Sequence, residues 1–189
     1  NNILITSIGK RVSLLKAFDR ELKLIYPTSN VYAADSNTKL SAASYISCKS
    51  FNLPLINSPK YIPELIKICK LNSIKIIIPT IDTELLKLSR NSKFFIKEGI
   101  IPVISSEELV KICRNKRELH KLLLNKNINV AKEYDKKKYN LPLFIKPIDG
   151  SRSQDNYIIN NQSEFKEYYL NNENLMFLEY INTNIFSEY

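Results

Sequence analysis

Lys146 closes an apolar run, Leu143-Phe144-Ile145, and is followed by Pro147-Ile148-Asp149-Gly150-Ser151-Arg152-Ser153. A charge at the end of a buried strand is costly unless it points at an anion or at solvent. The loop behind it supplies backbone amides, the hydroxyls of Ser151 and Ser153 and the guanidinium of Arg152, which are the materials of a phosphate cradle. Lys116 adds a second cation from a helix's first turn, where the macrodipole disfavours positive charge. A polyphosphate lying between that lysine and the helix N-terminus would relieve the repulsion. Two lysines and a small-residue loop together predict a nucleoside-triphosphate site. Taken singly, each also reads as an ordinary surface charge, and Gly150 as a turn residue that tolerates positive φ.

Only three glycines are present, Gly9, Gly99 and Gly150. G-x-G-x-x-G and the Walker A pattern are therefore excluded, and with them ordinary dinucleotide-binding dehydrogenases and P-loop kinases. Gly99 fits a helix end. Gly9 follows the first apolar run in Ser7-Ile8-Gly9-Lys10-Arg11. A small substrate would dock on the loops that follow strands one, two and four, with Gly9, Lys10, Arg11, Asp35, Asp82 and Glu84 as candidates. Asp82 reads equally as a helix cap and Asp35 as the end of a turn.

Cys48, Cys69 and Cys113 lack C-x-x-C spacing and leave one thiol over from any pairing, which points to a reducing compartment and to buried small hydrophobes. The single histidine, His120, cannot build a zinc cluster alone. Lys+Arg 28 against Asp+Glu 19 gives a net charge of +9. The lysines are scattered over helices, often beside Glu, as in Glu64 with Lys67 and Glu118 with Lys121. Lys136-Lys137-Lys138 is the one run. Scattering argues against a dedicated nucleic-acid surface, which would cluster the charge. No apolar stretch approaches the roughly 18 residues that span a bilayer, and Asn1-Asn2-Ile3 opens no secretory signal. A cytoplasmic protein without a membrane partner is expected.

The elements that must hold these residues alternate strand and helix. Ile3 to Ile5, Val31 to Ala34, Phe51 to Leu53, Ile76 to Ile78 and Ile101 to Ile104 read as strands. Between them, Leu15, Phe18, Leu22 and Ile25 recur at helical spacing, as do Tyr61, Leu65, Ile68 and Cys69 after Ser58-Pro59. Asp82 to Lys97 reads as one helix, and Ser105 with Glu108 as the capping box of the next. The β-branched run Ile76-Ile77-Ile78 marks a parallel strand buried on both faces. Residues 1–114 are thus expected to form a doubly wound, Rossmann-like α/β domain with its crevice at the carboxyl ends of the strands. From Asn115 the pattern changes. Asn115 and Glu118 cap a helix to about Asn125, Leu143 to Ile145, Tyr157 to Ile159 and Met176 to Leu178 read as strands, and Asn161 with Glu164 opens a helix through Tyr169. Residues 115–189 are expected to form a smaller, incomplete α+β domain.

ILITSIGKRVSLLKAF, AADSN, IIIPTIDTELL, ISSEELVKICRNKRELHKLL, LPLFIKPIDGSRS and FLEYI, in this order, resemble the ATP-grasp ligases of the carbamoyl-phosphate synthase large-subunit-like group. The resemblance covers essentially the whole chain and implies a pre-ATP-grasp domain followed by the first part of an ATP-grasp domain. It implies ATP and magnesium as cofactors, and small-molecule carboxylate and amine substrates joined through an acyl phosphate with release of ADP. It further implies that Lys116 and Lys146 reach the phosphates of ATP and that Gly150 through Asn156 close over them. Glu179, Tyr180 and Ile181 match the adenine-contacting segment, and Glu188 the ribose contact. The sequence departs from the family where Arg152 and Asp155 replace loop glycines and where Asn182-Thr183-Asn184-Ile185 follows Ile181. The magnesium ligands and catalytic residues are expected beyond Tyr189, so that this chain alone would be inactive. A degenerate or truncated module that binds without catalysing stands as the alternative, and a basic nucleic-acid-binding protein as a third. Oligomeric state is left open.

Overall fold

Ile3, Leu4 and Ile5 are all buried, yet they face two different cores, because successive strand side chains point to opposite sides of a sheet. The strand that holds them, β1 (Asn2–Thr6), is the centre of a parallel sheet. A computed structural model describes residues 1–150 and 153–182. The chain divides into two compact units, Asn1–Val110 and Lys111–Tyr189. The division falls inside the helix Glu107–Arg114.

In the first unit β1 is followed by α1 (Val12–Ile25), β2 (Val31–Asp35), α2 (Ala42–Ile46), β3 (Ser50–Asn52), α3 (Tyr61–Leu71), β4 (Ile74–Pro79), α4 (Asp82–Arg90), α5 (Ser92–Lys97), β5 (Ile101–Pro102) and α6 (Glu107–Arg114). The strands are all parallel, in the order β3-β2-β1-β4-β5. Leu4 and Ile77 lie in a core with Tyr61, Leu65, Leu88 and Phe95 from α3, α4 and α5. Ile3 and Ile5 lie in another with Leu15 and Leu22 of α1 and Ala43 of α2. Helices on both faces make this the doubly wound α/β fold. Its strand order reverses between β1 and β4, where such sheets open a crevice at their carboxyl ends.

Three boundaries differ from the sequence reading. The helix expected over Asp82–Lys97 is two helices. Asn91 ends α4 by donating its amide to Leu88 O at 3.1 Å, and its own carbonyl accepts from Phe94 and Phe95 to start α5. Its Nδ2 donates to Lys87 O at 2.8 Å, so a short polar side chain competes with the helix ladder and breaks it. Helix α3 begins at Tyr61 rather than Pro59, with Ser58 Oγ accepting from the Lys60 amide at 3.2 Å. Helix α6 takes its side-chain cap from Ser106, whose Oγ accepts from the Leu109 amide at 3.2 Å, and not from Ser105.

The second unit contains α7 (Lys116–Leu124), β6 (Glu133–Tyr134), β7 (Leu143–Pro147), β8 (Tyr157–Ile159), α8 (Glu167–Asn171) and β9 (Leu175–Glu179). Asn115 caps α7 as expected, its Oδ1 accepting from the Arg117 and Glu118 amides at 3.1 Å each. Asn161 instead caps a single 3-10 turn, Gln162–Glu164, and α8 begins only after it. The sheet is antiparallel in the order β6-β9-β7-β8. One face buries Leu143, Ile145, Leu175 and Phe177 against Tyr169 of α8. The other carries Lys146, Met176, Leu178 and Glu133, because cross-strand partners share a face and Glu133 pairs with Leu178 as Lys146 pairs with Met176.

Cys69 is buried as expected, but Cys48, in the bend after α2, and Cys113, on α6, are exposed. Lys136 is not part of a basic surface. Its ammonium donates to the carbonyls of Tyr169, Leu170 and Asn172 at the end of α8 and lies 5.6 Å from the Phe177 ring centroid. It is a cation on the negative end of a helix dipole. Among the described residues no helix is long and apolar enough to cross a membrane.

Candidate functional site

Strand β7 sets the position of Lys146. With Leu143 and Ile145 turned to the core, the alternation places Lys146 on the opposite face, half-buried, at the end of the strand. Helix α7 is tied to the same end. The Lys116 amide donates to Ile148 O at 2.8 Å, which uses one of the N–H groups a helix's first turn leaves free, and Lys116 Nζ donates to Gly150 O at 3.2 Å. Arg117 fastens the helix to β6 with two bonds to one carboxylate oxygen of Glu133, at 2.9 and 2.7 Å.

Lys116 and Lys146 both line one cavity of about 220 Å³, with Pro147, Asp149, Gly150, Ser153, Gln154 and Asn156. Burial and then the nearby Lys116 ammonium hold Lys146 below the ordinary lysine value, while Glu133 opposes them. Two ammonium groups facing one space stabilise whatever anion enters it. Gly150 has φ +112, and an added Cβ would meet nothing within 4 Å, so backbone conformation alone calls for glycine there. Ser153 and Asp155 also take positive φ, at 55° and 57°. A loop with residues in this region can turn successive N–H groups toward one point, the geometry of an anion nest. Asp149 puts one negative charge on the cavity wall.

The structure does not bring every candidate to this cavity. Glu179 lies opposite Leu143, at the other end of β7 from Lys146, which is a separation of about 10 Å at the usual rise per strand residue. Its Oε1 accepts from the Lys132 amide at 2.9 Å. Tyr180 is partly buried and Ile181 exposed just beyond β9. Ser151, Arg152 and Glu188 lie outside the described residues.

In the first unit the candidates satisfy one another. Asp35 Oδ2 accepts from the Gly9 amide at 3.0 Å, and Gly9, at φ +51, turns its carbonyl to the Ser41 hydroxyl at 3.0 Å. Thr80 Oγ1 sits 2.8 and 2.7 Å from the carbonyls of Thr6 and Ser7, across the point where the strand order reverses. Glu84 is fully buried beneath it and accepts from Thr6 Oγ1 at 2.9 Å and from the Tyr61 hydroxyl. It props this crevice from inside and is not a surface residue. Lys10, Arg11 and Asp82 are exposed at the rim, with Arg11 donating to Ser7 O at 3.1 Å. Sequence reasoning missed Thr6, Tyr61 and Thr80, for which the strand and helix patterns give only burial. Among the described residues no group of three or more His, Cys, Asp and Glu is placed to hold a metal ion.

The family described as "PylC-like, N-terminal domain" matches residues 3–104. No curated protein matches the chain in sequence. Among solved structures, the biotin carboxylase domain of Hydrogenobacter thermophilus 2-oxoglutarate carboxylase, in complex with MgADP, ADP and bicarbonate, superposes with TM-score 0.70 at 11% identity, over 96% of this chain and 44% of that one. Campylobacter jejuni biotin carboxylase bound to β,γ-ATP gives 0.70 at 13% identity, over 96% and 45%. Rhizobium etli pyruvate carboxylase gives 0.65 at 14%, over 95% and 18%. The chain thus spans less than half the length of these structures. The resemblance in sequence motifs to the ATP-grasp ligases and the doubly wound fold agree with these matches.

Proposed function

Since the chain belongs to the PylC-like family, through the N-terminal domain over residues 3–104, we propose that it acts as part of an ATP-dependent, ADP-forming carboxylate–amine ligase. The observation that carries this reading is the convergence of Lys116 and Lys146 on one cavity beside the Gly150 turn. ATP, when bound, supplies a phosphoryl group that turns a carboxylate into an acyl phosphate, which an amine then attacks. The chain's own residues hold the triphosphate. Lys146, partly desolvated, supplies a charge that water screens little, and Lys116 supplies a second from the helix end. Ser153, Gln154 and Asn156 offer polar groups along the same wall. Glu179, Tyr180 and Ile181, one strand length away, are at a separation suited to the base. The small carboxylate or amine docks on the rim of the first unit, at Gly9, Lys10, Arg11, Asp35 and Asp82, with Glu84 holding that rim from below.

Turnover in this reading needs residues outside these 189, in keeping with the 44–45% of the similar structures that the chain spans. The chain itself binds nucleotide without catalysing. A non-catalytic binding module is the second reading, favoured by Asp149 on the cavity wall, where it opposes a polyphosphate.

Titration calorimetry with MgADP tests the nucleotide site. Lys146→Met is expected to weaken binding by about 30- to 150-fold, the loss of one charge-assisted contact worth about 2–3 kcal/mol. Binding that is unaffected by this change refutes the site. Ligation by a longer form of the protein separates the two readings, since a pure binding module forms no ADP from ATP, carboxylate and amine.

A further inference from the structure

A second cavity, of about 320 Å³, opens in the first unit beside Val31, the first residue of β2. It lies at the amino end of that strand, whereas the crevice of the sheet lies at the carboxyl ends. Helix α1 forms one side. Lys16, Arg20 and Lys23 recur there at i, i+4 and i+7, which sets three cations in one row along the helix, and all three line the cavity. Beside them the lining is apolar. Leu15 and Val31 belong to the core of this face of the sheet, and Ile46 is added from the end of α2. The charge on the row does not cancel. Asp19 is the one carboxylate among the lining residues, so two positive charges remain in excess. Asp19 meets Lys23 at 3.5 Å. Arg20 meets Glu21 at 2.7 Å with both side chains more than half exposed, a pair of small net worth that a better acceptor displaces. Lys16 has no ion pair or hydrogen bond among the described residues.

We propose that this cavity binds a small dicarboxylate with an apolar body between its two acid groups. The body lies on Leu15, Val31 and Ile46, and the acid groups lie along the row Lys16, Arg20 and Lys23. Three features of the cavity select this class. The excess of two positive charges matches a dianion. Lys16 and Lys23 stand about 10 Å apart along the helix axis, at the usual rise per residue, so the row suits charges that are spread along a ligand rather than gathered in one phosphate group. The apolar lining gives an inorganic anion nothing, and the cations give a hydrocarbon nothing, whereas an anion with an apolar body uses both. The volume sets the size, since a cavity of about 150 Å³ accommodates benzene and this one has room for two fused rings. The site is separate from the Lys116 and Lys146 cavity and does not depend on the nucleotide reading.

The cysteines supply the assay. Cys48 lines the cavity, Cys113 is exposed outside it on α6, and Cys69 is buried in the core. Alkylation of the 189-residue chain by N-ethylmaleimide, a neutral reagent, is followed at each cysteine by peptide mass spectrometry, with naphthalene-2,6-dicarboxylate as the probe. The probe is expected to slow Cys48 about fivefold or more at saturation, with half the effect on the order of 0.1–1 mM, the range that a ligand of this size reaches. Cys113 is expected to react at an unchanged rate. Naphthalene-2-carboxylate, with one acid group, is expected to need about five- to tenfold more for the same protection. Lys16→Gln with Lys23→Gln removes the two excess charges and is expected to raise the half-effect concentration of the diacid by a similar factor, and Cys69 that stays unreacted shows the variant to be folded. Unchanged Cys48 reactivity at about 10 mM probe, well above that range, overturns the proposal. So does equal slowing of Cys113, equal protection by the monoacid or by neutral naphthalene-2-methanol, or an unshifted half-effect in the folded double variant.

Discussion

Replacing Glu84 tests whether the buried carboxyl is a prop of the first unit. Glu84 is wholly buried and receives the Thr6 hydroxyl at 2.9 Å and the Tyr61 hydroxyl. Glu84→Ala leaves both hydroxyls without their acceptor, at about 1–3 kcal/mol each, and opens a small cavity, so the expected loss is about 3–5 kcal/mol. Glu84→Gln keeps the volume and one accepting oxygen, and is expected to cost about 1–2 kcal/mol. Denaturant unfolding followed by tyrosine fluorescence reads both, the chain having 11 Tyr and no Trp. The midpoint should fall while the slope of the first unit's transition holds. A pH series adds a second reading. Burial raises the Glu84 carboxyl above its ordinary 4.5, outweighing the bonds from Tyr61, Thr6 and Ser7 that pull the other way. The folded state then holds the proton more tightly than the unfolded chain. Its contribution is complete below 4.5 and disappears as pH rises through the raised value, a slope that Glu84→Gln removes. Equal stability of wild type and Glu84→Ala, or equal costs for the alanine and glutamine variants, would refute this account of the network.

Gly150→Ala is expected to cost about 1–2 kcal/mol through backbone strain alone, since φ is +112 and the space for a methyl group is open; unfolding midpoints check it. Asp149→Asn removes the negative charge from the cavity wall and should tighten MgADP several-fold at low salt, an effect that calorimetry at rising ionic strength should diminish. Lys136→Met frees three carbonyls at the end of α8 and should destabilise the second unit by about 1–2 kcal/mol, visible in its denaturant midpoint, with MgADP affinity unchanged.

Much of the architecture was legible in residue order. The run Ile76-Ile77-Ile78 specified a strand covered on both faces, and the structure sends Ile77 to one core and Ile76 and Ile78 to the other. Asn115 announced the start of α7, because an Asn side chain two and three residues ahead of free amides is a local arrangement needing no distant partner. The place of Lys146 near the end of β7 followed from the apolar run Leu143-Phe144-Ile145 that it closes. Boundaries were less legible where two local signals competed. Asn91 could continue a helix or break one, and only its bond to Lys87 O decided it.

The set of elements, the faces they bury and the place of the two lysines at element ends depend on spacing within a dozen residues, and could be read along the chain. Which side chains meet depends on how distant segments pack. Glu84 and Asp35 read alike as acidic residues after strands, yet one is sealed under Thr6 and Tyr61 and the other holds the Gly9 amide. Lys136 reads like its neighbours Lys137 and Lys138, yet it alone reaches the end of α8. His120 carries no mark in the sequence at all. The charges that act on it, Glu133 and Lys146, lie 13 and 26 positions further along the chain. A pattern along the chain reports which way a side chain points. The charge it finds there comes from packing between segments that are far apart in sequence, and packing sets every energy that depends on a partner.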